Sequence, residues 1–209
     1  SSLKLEYRLE QIGIDVEAGA SPDFLAEDGD FLRSAVTLNY LYDNRDSTIT
    51  SRSGERLDVS LAMAGGIFGG DVDTLTLSAQ GAKYWNLRWD TILSVNGEIA
   101  FVDALNGNVP IFERVFLGGG RTLRGFEFRD IGGKRDAASG EVLGGQSLAF
   151  MTVEYTVPII ETVRAAAFFD TGFVNTSSWD IGPDDVYSDI GLGVRLKLPI
   201  SPVPLALDY

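Results

Sequence analysis

The sequence contains no cysteine and no histidine. Without cysteine, disulfide bonds and thiolate metal sites are excluded, and an oxidising envelope compartment remains compatible with the composition. Without histidine, the chain lacks the commonest general base and the commonest metal ligand of proteins. We therefore expect no metal site, no other cofactor and no catalytic residue in this chain.

Basic residues and long apolar runs are also scarce. Seventeen Lys and Arg face 30 Asp and Glu, and the resulting net charge of −13 argues against nucleic acid as a partner. The most apolar window, residues 165–169, stops at Asp170. A helix that spans a bilayer needs about 18 to 20 predominantly apolar residues. If this chain crosses a membrane, it must therefore cross it as strands.

Apolar and polar residues alternate with a period of two along most of the chain. At its start, Leu3, Leu5 and Tyr7 are separated by charged side chains. The same pattern recurs in residues 36–43, 56–63, 75–80, 93–101, 151–157, 164–170, 189–198 and 205–209. It predicts about nine strands of roughly 8 to 14 residues, separated by turns that are rich in Gly, Asp, Asn and Ser.

A soluble β-sandwich also shows alternation. Strand length and the composition of the two faces must therefore distinguish a sandwich from a membrane-spanning sheet. Sandwich strands average about 5 to 6 residues, whereas a tilted strand needs about 9 to 11 residues to cross a bilayer. Several predicted strands approach the longer value. One face is almost entirely aliphatic and aromatic, and the other mixes small and ionisable residues such as Gly191, Gly193, Arg195 and Lys197. These features favour an all-β fold, a transmembrane antiparallel β-barrel of a bacterial outer membrane.

The connections between the predicted strands differ greatly in length. Residues 65–73 and 86–90 form short hairpins, whereas residues 103–146 form a long segment that is rich in glycine. Short turns on one rim and long loops on the other are typical of outer-membrane barrels. The long segment contains a run of glycines and then an arginine between apolar residues. Its candidate site residues are Gly118, Gly119, Gly120, Arg124, Gly125 and Phe126.

Two acidic residues give Arg124 a possible role beyond that of a surface loop residue. Glu154 and Asp170 lie on neighbouring predicted strands, and the alternation places both on the polar face inside the barrel. A carboxylate in such an interior needs a partner. A planar guanidinium is well suited to bridge two carboxylates.

Other acidic residues are explained without a catalytic or metal site. Asp43, Arg45 and Asp46 alternate at a strand end, and we interpret them as a charge network on the rim. Asp184 and Asp185 follow a Gly-Pro pair and are typical of a solvated turn. Paired carboxylates can bind metal ions or hydrolyse glycosides, but these positions favour the structural interpretation.

Five short motifs resemble those of one family, the BamA/TamA superfamily of outer-membrane assembly barrels. They occur in the family's order across nearly the whole chain, in residues 42–46, 117–126, 153–158, 168–172 and 191–209. The central motif combines Leu117-Gly118-Gly119 with Leu123-Arg124-Gly125-Phe126. Two details depart from the family pattern, because no proline follows Asp46 closely and the SPxGP element is reduced to residues 201–204.

The resemblance implies a sixteen-stranded barrel, of which residues 1–209 would supply about nine strands, roughly strands seven to fifteen. Residues 103–146 would then be extracellular loop six, folded back into the lumen. Arg124 is expected to contact Glu154 and Asp170 and so to hold this loop as a latch. The POTRA domains, the first strands and the last strand of the family are expected to lie outside this sequence.

The function that the resemblance implies is the folding and insertion of β-barrel proteins into the outer membrane. The expected partners are outer-membrane lipids, unfolded outer-membrane proteins and accessory lipoproteins of an assembly complex. Such a protein works through backbone hydrogen bonds, so we do not expect an enzyme. Two alternatives keep the fold and differ in function. They are a related two-partner-secretion or TamA-like translocation barrel and a passive porin.

Overall fold

The computed structural model describes residues 1–17, 19–20, 22–137, 139–198 and 204–209. These residues form one antiparallel sheet of nine strands, which are given in the next sentence in their order across the sheet, so that each strand pairs with the next. The strands are β1 (Ser2–Ile14), β2 (Gly29–Asp43), β3 (Gly54–Ala64), β4 (Thr74–Asn86), β5 (Ile92–Ala104), β8 (Ser147–Ile160), β9 (Val163–Asn175), β10 (Tyr187–Leu196) and β11 (Leu205–Asp208). Two short strands, β6 (Lys134–Arg135) and β7 (Val142–Gly144), pair with each other inside the long connection.

Helices contribute little to the fold. The described residues contain one short α-helix, α1 (Pro22–Leu25), and three single 3₁₀ turns, Gly66–Phe68, Arg88–Asp90 and Ile111–Glu113. Within the described ranges, no helix is long and apolar enough to span a membrane.

The prediction of nine alternating strands and of an all-β antiparallel fold is confirmed. Eight strands of the sheet have between 10 and 15 residues, and β11 has four. The long connection begins after Ala104, where β5 ends, so it covers residues 105–146. Residues 201–203 of the reduced SPxGP element lie outside the described residues.

Alternation gives the sheet two chemically different faces, because successive side chains of a strand point to opposite sides. The outer face presents large apolar side chains whose exposed fractions lie between 40% and 83%. They include Leu5, Tyr40, Leu61, Ile99, Tyr155, Phe169, Ile190 and Leu207. A contiguous exposed apolar band of this kind is stable against lipid rather than water.

The two rims of the sheet differ in the length of the connections that they carry. Residues 15–28, 65–73, 105–146 and 176–186 connect strands on one rim, which we call the long rim. The hairpin at residues 65–73, predicted from the sequence as a short connection in contrast to the long segment, therefore lies on the same rim as that segment. Residues 44–53, 87–91, 161–162 and 197–204 connect strands on the other, the short rim. The tightest connection, the two residues between β8 and β9, therefore lies opposite the longest one.

The long connection, residues 105–146, folds against the inner face of the sheet, and we call it the inserted loop. Its Leu117, Leu123 and Ile131 are buried in one cluster with Leu148 of β8 and Val174 of β9. Burial of each such side chain contributes about 1.5–3 kcal/mol. The apolar residues of the loop thus supply much of the described core, and they position the polar motif that lies among them.

Candidate functional site

Two glycines shape the turn that precedes Arg124. Gly118 and Gly119 have φ angles of 108° and 95°, a region that L side chains rarely adopt. A Cβ atom on Gly118 would lie 2.2 Å from the backbone oxygen of Glu127. The N–H of Gly119 donates to the backbone oxygens of both Leu123 and Phe126, at 3.1 Å and 2.9 Å. The turn therefore presents the Arg124 side chain to the sheet.

The third predicted glycine is different. Gly120 has no positive φ, and the space around the position of its missing Cβ is open to at least 4 Å. The backbone geometry thus requires glycine at positions 118 and 119 but not at position 120.

Arg124 makes a fork-like contact with Asp170 of β9. Its Nε donates to Oδ2 and its Nη2 to Oδ1, each at 2.8 Å, and its backbone N–H donates to Oδ2 at 3.2 Å. The Asp170 side chain is fully buried. Two parallel charge-assisted hydrogen bonds fix both the position and the orientation of the guanidinium.

Glu154 of β8 accepts a second contact, from Nη1 of Arg124 at 2.7 Å. The ring of Phe168, one residue along β9 from Phe169 and on the inner face, has its centroid 3.4 Å from the guanidinium carbon. The structure therefore brings Arg124, Glu154 and Asp170 together. It adds an aromatic ring that stacks on the cation.

A second arginine extends this cluster towards β11. Arg195 of β10 donates to both oxygens of Glu154, with its Nη2 at 2.5 Å and its Nε at 3.2 Å. It also forms an ion pair with Asp208 of β11, whose Oδ2 lies 3.5 Å from Nη1 of Arg124. The loop is thereby connected through side chains to four consecutive strands, β8 to β11.

Asp189 of β10 is the fourth carboxylate of the cluster. It lies opposite Asp170 in the strand register, and its Cβ is 2.8 Å from the position that a Cβ on Gly125 would occupy. Glycine at position 125 is required for this close approach of loop and strand. The next residue, Phe126, packs edge-to-face on Tyr187 with 5.7 Å between the ring centroids.

Four residues of the cluster were not predicted from the sequence as site residues: Arg195, Asp208, Phe168 and Asp189. A signal existed, because alternation places all four on the inner face with Glu154 and Asp170. The two guanidinium groups form ion pairs with three of the four carboxylates, and these ion pairs are suited to holding a loop electrostatically. No bond-making chemistry is needed for that role.

The predicted charge network on the rim is divided in two. The guanidinium of Arg45 donates to both oxygens of Asp43, at 2.9 Å and 2.7 Å. Asp46 has different contacts, because its Oδ1 accepts the backbone N–H groups of Arg52 and Ser53 at 2.9 Å and 3.2 Å. These N–H groups, that of Arg52 foremost, hold the pKa of Asp46 below its ordinary value. Asp46 thus closes the loop 44–53 on itself.

An apolar outer face, connections of unequal length on the two rims and an inner face that holds an ion-paired loop are typical of an integral membrane β-barrel. The model of the Omp85 superfamily domain matches residues 1–209. The chain therefore belongs to the Omp85 superfamily, and it is an integral protein of the bacterial outer membrane. The family resemblance of the motifs is confirmed.

Known proteins support the same assignment. The chain is 28% identical, over 97% of its length, to the outer membrane protein assembly factor BamA of Nitratidesulfovibrio vulgaris, of which it covers 26%. It is 30% identical, over 73% of its length, to a SAM50-like protein of Schizosaccharomyces pombe, of which it covers 34%. It thus spans about a quarter to a third of these relatives.

One solved structure shows the same fold. The crystal structure of BamA from Haemophilus ducreyi lacking POTRA domains 1–3 matches with a TM-score of 0.73 at 20% identity. The match covers 86% of this chain and 39% of that chain.

Proposed function

We propose that this chain is the barrel portion of an outer-membrane protein assembly factor, which folds and inserts other β-barrel proteins. The observation that carries the proposal is the inserted loop held by Arg124 on Glu154 and Asp170. It occurs in a chain that is similar to an assembly factor over 97% of its length. A passive porin needs an open lumen, and a buried loop fixed to the inner face is poorly suited to passive diffusion.

The proposed mechanism uses strand addition. An incoming unfolded strand would pair with an exposed sheet edge through backbone hydrogen bonds, which need no particular side-chain sequence in the substrate. Locally thinned lipid beside that edge would lower the cost of insertion. No covalent step is required, so the protein would not be an enzyme.

In this mechanism, Arg124, Glu154 and Asp170 form a latch. The latch keeps the inserted loop on strands β8 to β11 while the barrel wall takes part in assembly. The proposed partners are outer-membrane lipids, unfolded outer-membrane proteins and the accessory lipoproteins of an assembly complex.

The test is reconstitution of the full-length protein in liposomes, with an unfolded reporter barrel as substrate. Folding of the reporter is measured by its heat-modifiable migration on gels. We expect the parent to accelerate folding and Arg124→Ala to lose most of this acceleration. Arg121→Ala is the matched control, since Arg121 is an exposed arginine of the same loop. Ion conductance or passenger export without any reporter folding would overturn the proposal.

A further inference from the structure

The inserted loop has a second polar contact with the sheet, far from Arg124. The 3₁₀ turn Ile111–Glu113 places Glu113 beside Arg33 of β2, whose Nε donates to Oε1 of Glu113 at 2.5 Å. The exposed fractions of the two side chains are 16% for Arg33 and 10% for Glu113. This ion pair is therefore shielded from water, unlike most ion pairs on protein surfaces.

The sheet itself holds Arg33 in place. Its Nη1 forms an ion pair with Glu10 of β1 at 3.2 Å, and its backbone forms a bridge with Gly70 in the connection between β3 and β4. Arg33 thus lies between two carboxylates, as Arg124 does. The roles are exchanged, because at this position the sheet supplies the arginine and the loop supplies one carboxylate.

Apolar contacts accompany the ion pair. The ring of Phe112 lies against that of Phe31 with 5.4 Å between centroids, and both pack on the buried cluster of Ala35, Ala64 and Val72. Val109, four residues before Glu113, is 1% exposed. A charge pair beside buried aromatic surface excludes water from both contacts, and each contact then strengthens the other.

We propose that Arg33 and Glu113 form a second anchor, which holds the first arm of the inserted loop on β1–β3 independently of the Arg124 latch. The loop would then be tied to two distant parts of the sheet, β2 at one end and β8–β11 at the other. The importance of this anchor for substrate folding rests on the proposed function. The attachment of the loop to β1–β3 does not. Arg33 and Glu113 are positioning residues in this proposal.

The anchor and the latch can be tested separately by cysteine labelling, because residues 1–209 contain no native cysteine. Val109→Cys reports on the anchor, and Leu123→Cys, at a fully buried position, reports on the latch. Each is introduced into the full-length protein, with any cysteine outside this region replaced. Maleimide labelling is then measured in detergent on molecules that show folded, heat-modifiable migration.

We expect Glu113→Gln to raise labelling at position 109 by about tenfold, as expected for the loss of one charge-assisted hydrogen bond. Labelling at position 123 should stay within about twofold of the parent, because distant sites without shared partners act independently. Arg124→Ala should show the reverse pattern. Phe112→Leu, which keeps every charge, should also raise labelling at position 109, so the result does not depend on one variant.

Glu127→Gln is the matched control. It removes the charge of an exposed glutamate of the same loop and leaves Arg33, Glu10 and Glu113 intact, so it should leave position 109 protected. Equal labelling at position 109 in Glu113→Gln and the parent would overturn the proposal. Exposure of both positions by Arg124→Ala alone would overturn it too, since one latch would then hold the whole loop. Either result would leave reporter folding by the parent, and hence the proposed function, unaffected.

Discussion

Asp170 and Asp189 lie directly opposite each other in the register between β9 and β10, yet their surroundings differ. Asp170 accepts three hydrogen bonds from Arg124. Both carboxylate oxygens of Asp189 are buried, and neither meets a hydrogen-bond partner in good geometry among the described residues, although the Gly125 N–H and the Asp170 carboxylate lie close to it. The inner face therefore holds a carboxylate paired with a guanidinium beside a carboxylate whose hydrogen bonding is incomplete.

Serine substitutions at these two positions should change stability in opposite directions. Asp189→Ser removes a buried carboxylate that lies beside Asp170 and is incompletely hydrogen-bonded, and it should raise the free energy of unfolding by about 1–3 kcal/mol. Asp170→Ser leaves the buried guanidinium of Arg124 short of its partner and should lower it by about 3–5 kcal/mol. Urea titration of the full-length protein in detergent, followed by gel migration, measures both. A loss of stability in both variants would contradict the proposed difference between the two carboxylates.

Replacement of Arg124 by lysine should fail to preserve the latch. Lysine keeps the positive charge, but it cannot form the fork with Asp170 and it stacks less well on Phe168. We expect Arg124→Lys to lose at least half of the stability that Arg124→Ala loses, again by urea titration. Arg121→Lys, in an exposed position of the same loop, serves as the control and should match the parent. Full stability of Arg124→Lys would show that charge alone holds the loop.

Alanine substitutions at two glycines of the inserted loop should distinguish a position that requires glycine from one that does not. Gly120→Ala places its Cβ in open space and should change stability by no more than about 0.5 kcal/mol. Gly125→Ala would bring its Cβ to 2.8 Å from that of Asp189, and this overpacking should cost about 1–3 kcal/mol. Asp189→Gly in the same molecule should recover part of the loss. Without such recovery, the cost of Gly125→Ala would have another origin.

Two tryptophans have similarly strained backbones, and their replacement by asparagine should change stability in opposite directions. Trp89, in the turn between β4 and β5, has a φ of 55° and is 87% exposed, so Trp89→Asn should stabilise by about 1 kcal/mol. Trp179 has a φ of 59°, but it stacks on Phe101 and donates to Asp103 at 2.9 Å. Trp179→Asn should therefore destabilise. Thermal unfolding in detergent distinguishes the two, and stabilisation by both would contradict the role of the Trp179 contacts.

Local pattern was sufficient to predict the strands because alternation is a property of each strand by itself. Leu3, Leu5 and Tyr7 share a face whatever strand β1 pairs with. For the same reason, the inner position of Glu154 and Asp170 followed from the sequence. The order of the motifs then indicated the family and the expected partner of Arg124.

The rest depends on strand register and on the path of the inserted loop. Asp170 and Asp189 carry the same side chain on the same face, but only register and loop path decide which one meets Arg124. Asp46 was expected to join Asp43 and Arg45, and its actual partners are backbone groups that only the folded turn brings near. The pairing of Arg33 with Glu113 crosses 80 positions of the chain.

The sequence by itself thus determined the strands, their faces, the family and the arginine of the loop. The tertiary structure alone decided that the latch contacts strands β8 to β11, that Asp170 and not Asp189 pairs with Arg124, and that the loop has a second contact at Arg33. The physical reason is that period-two alternation is a local property of a single strand. The partners of a buried charge are instead set by contacts between residues that are distant in the chain.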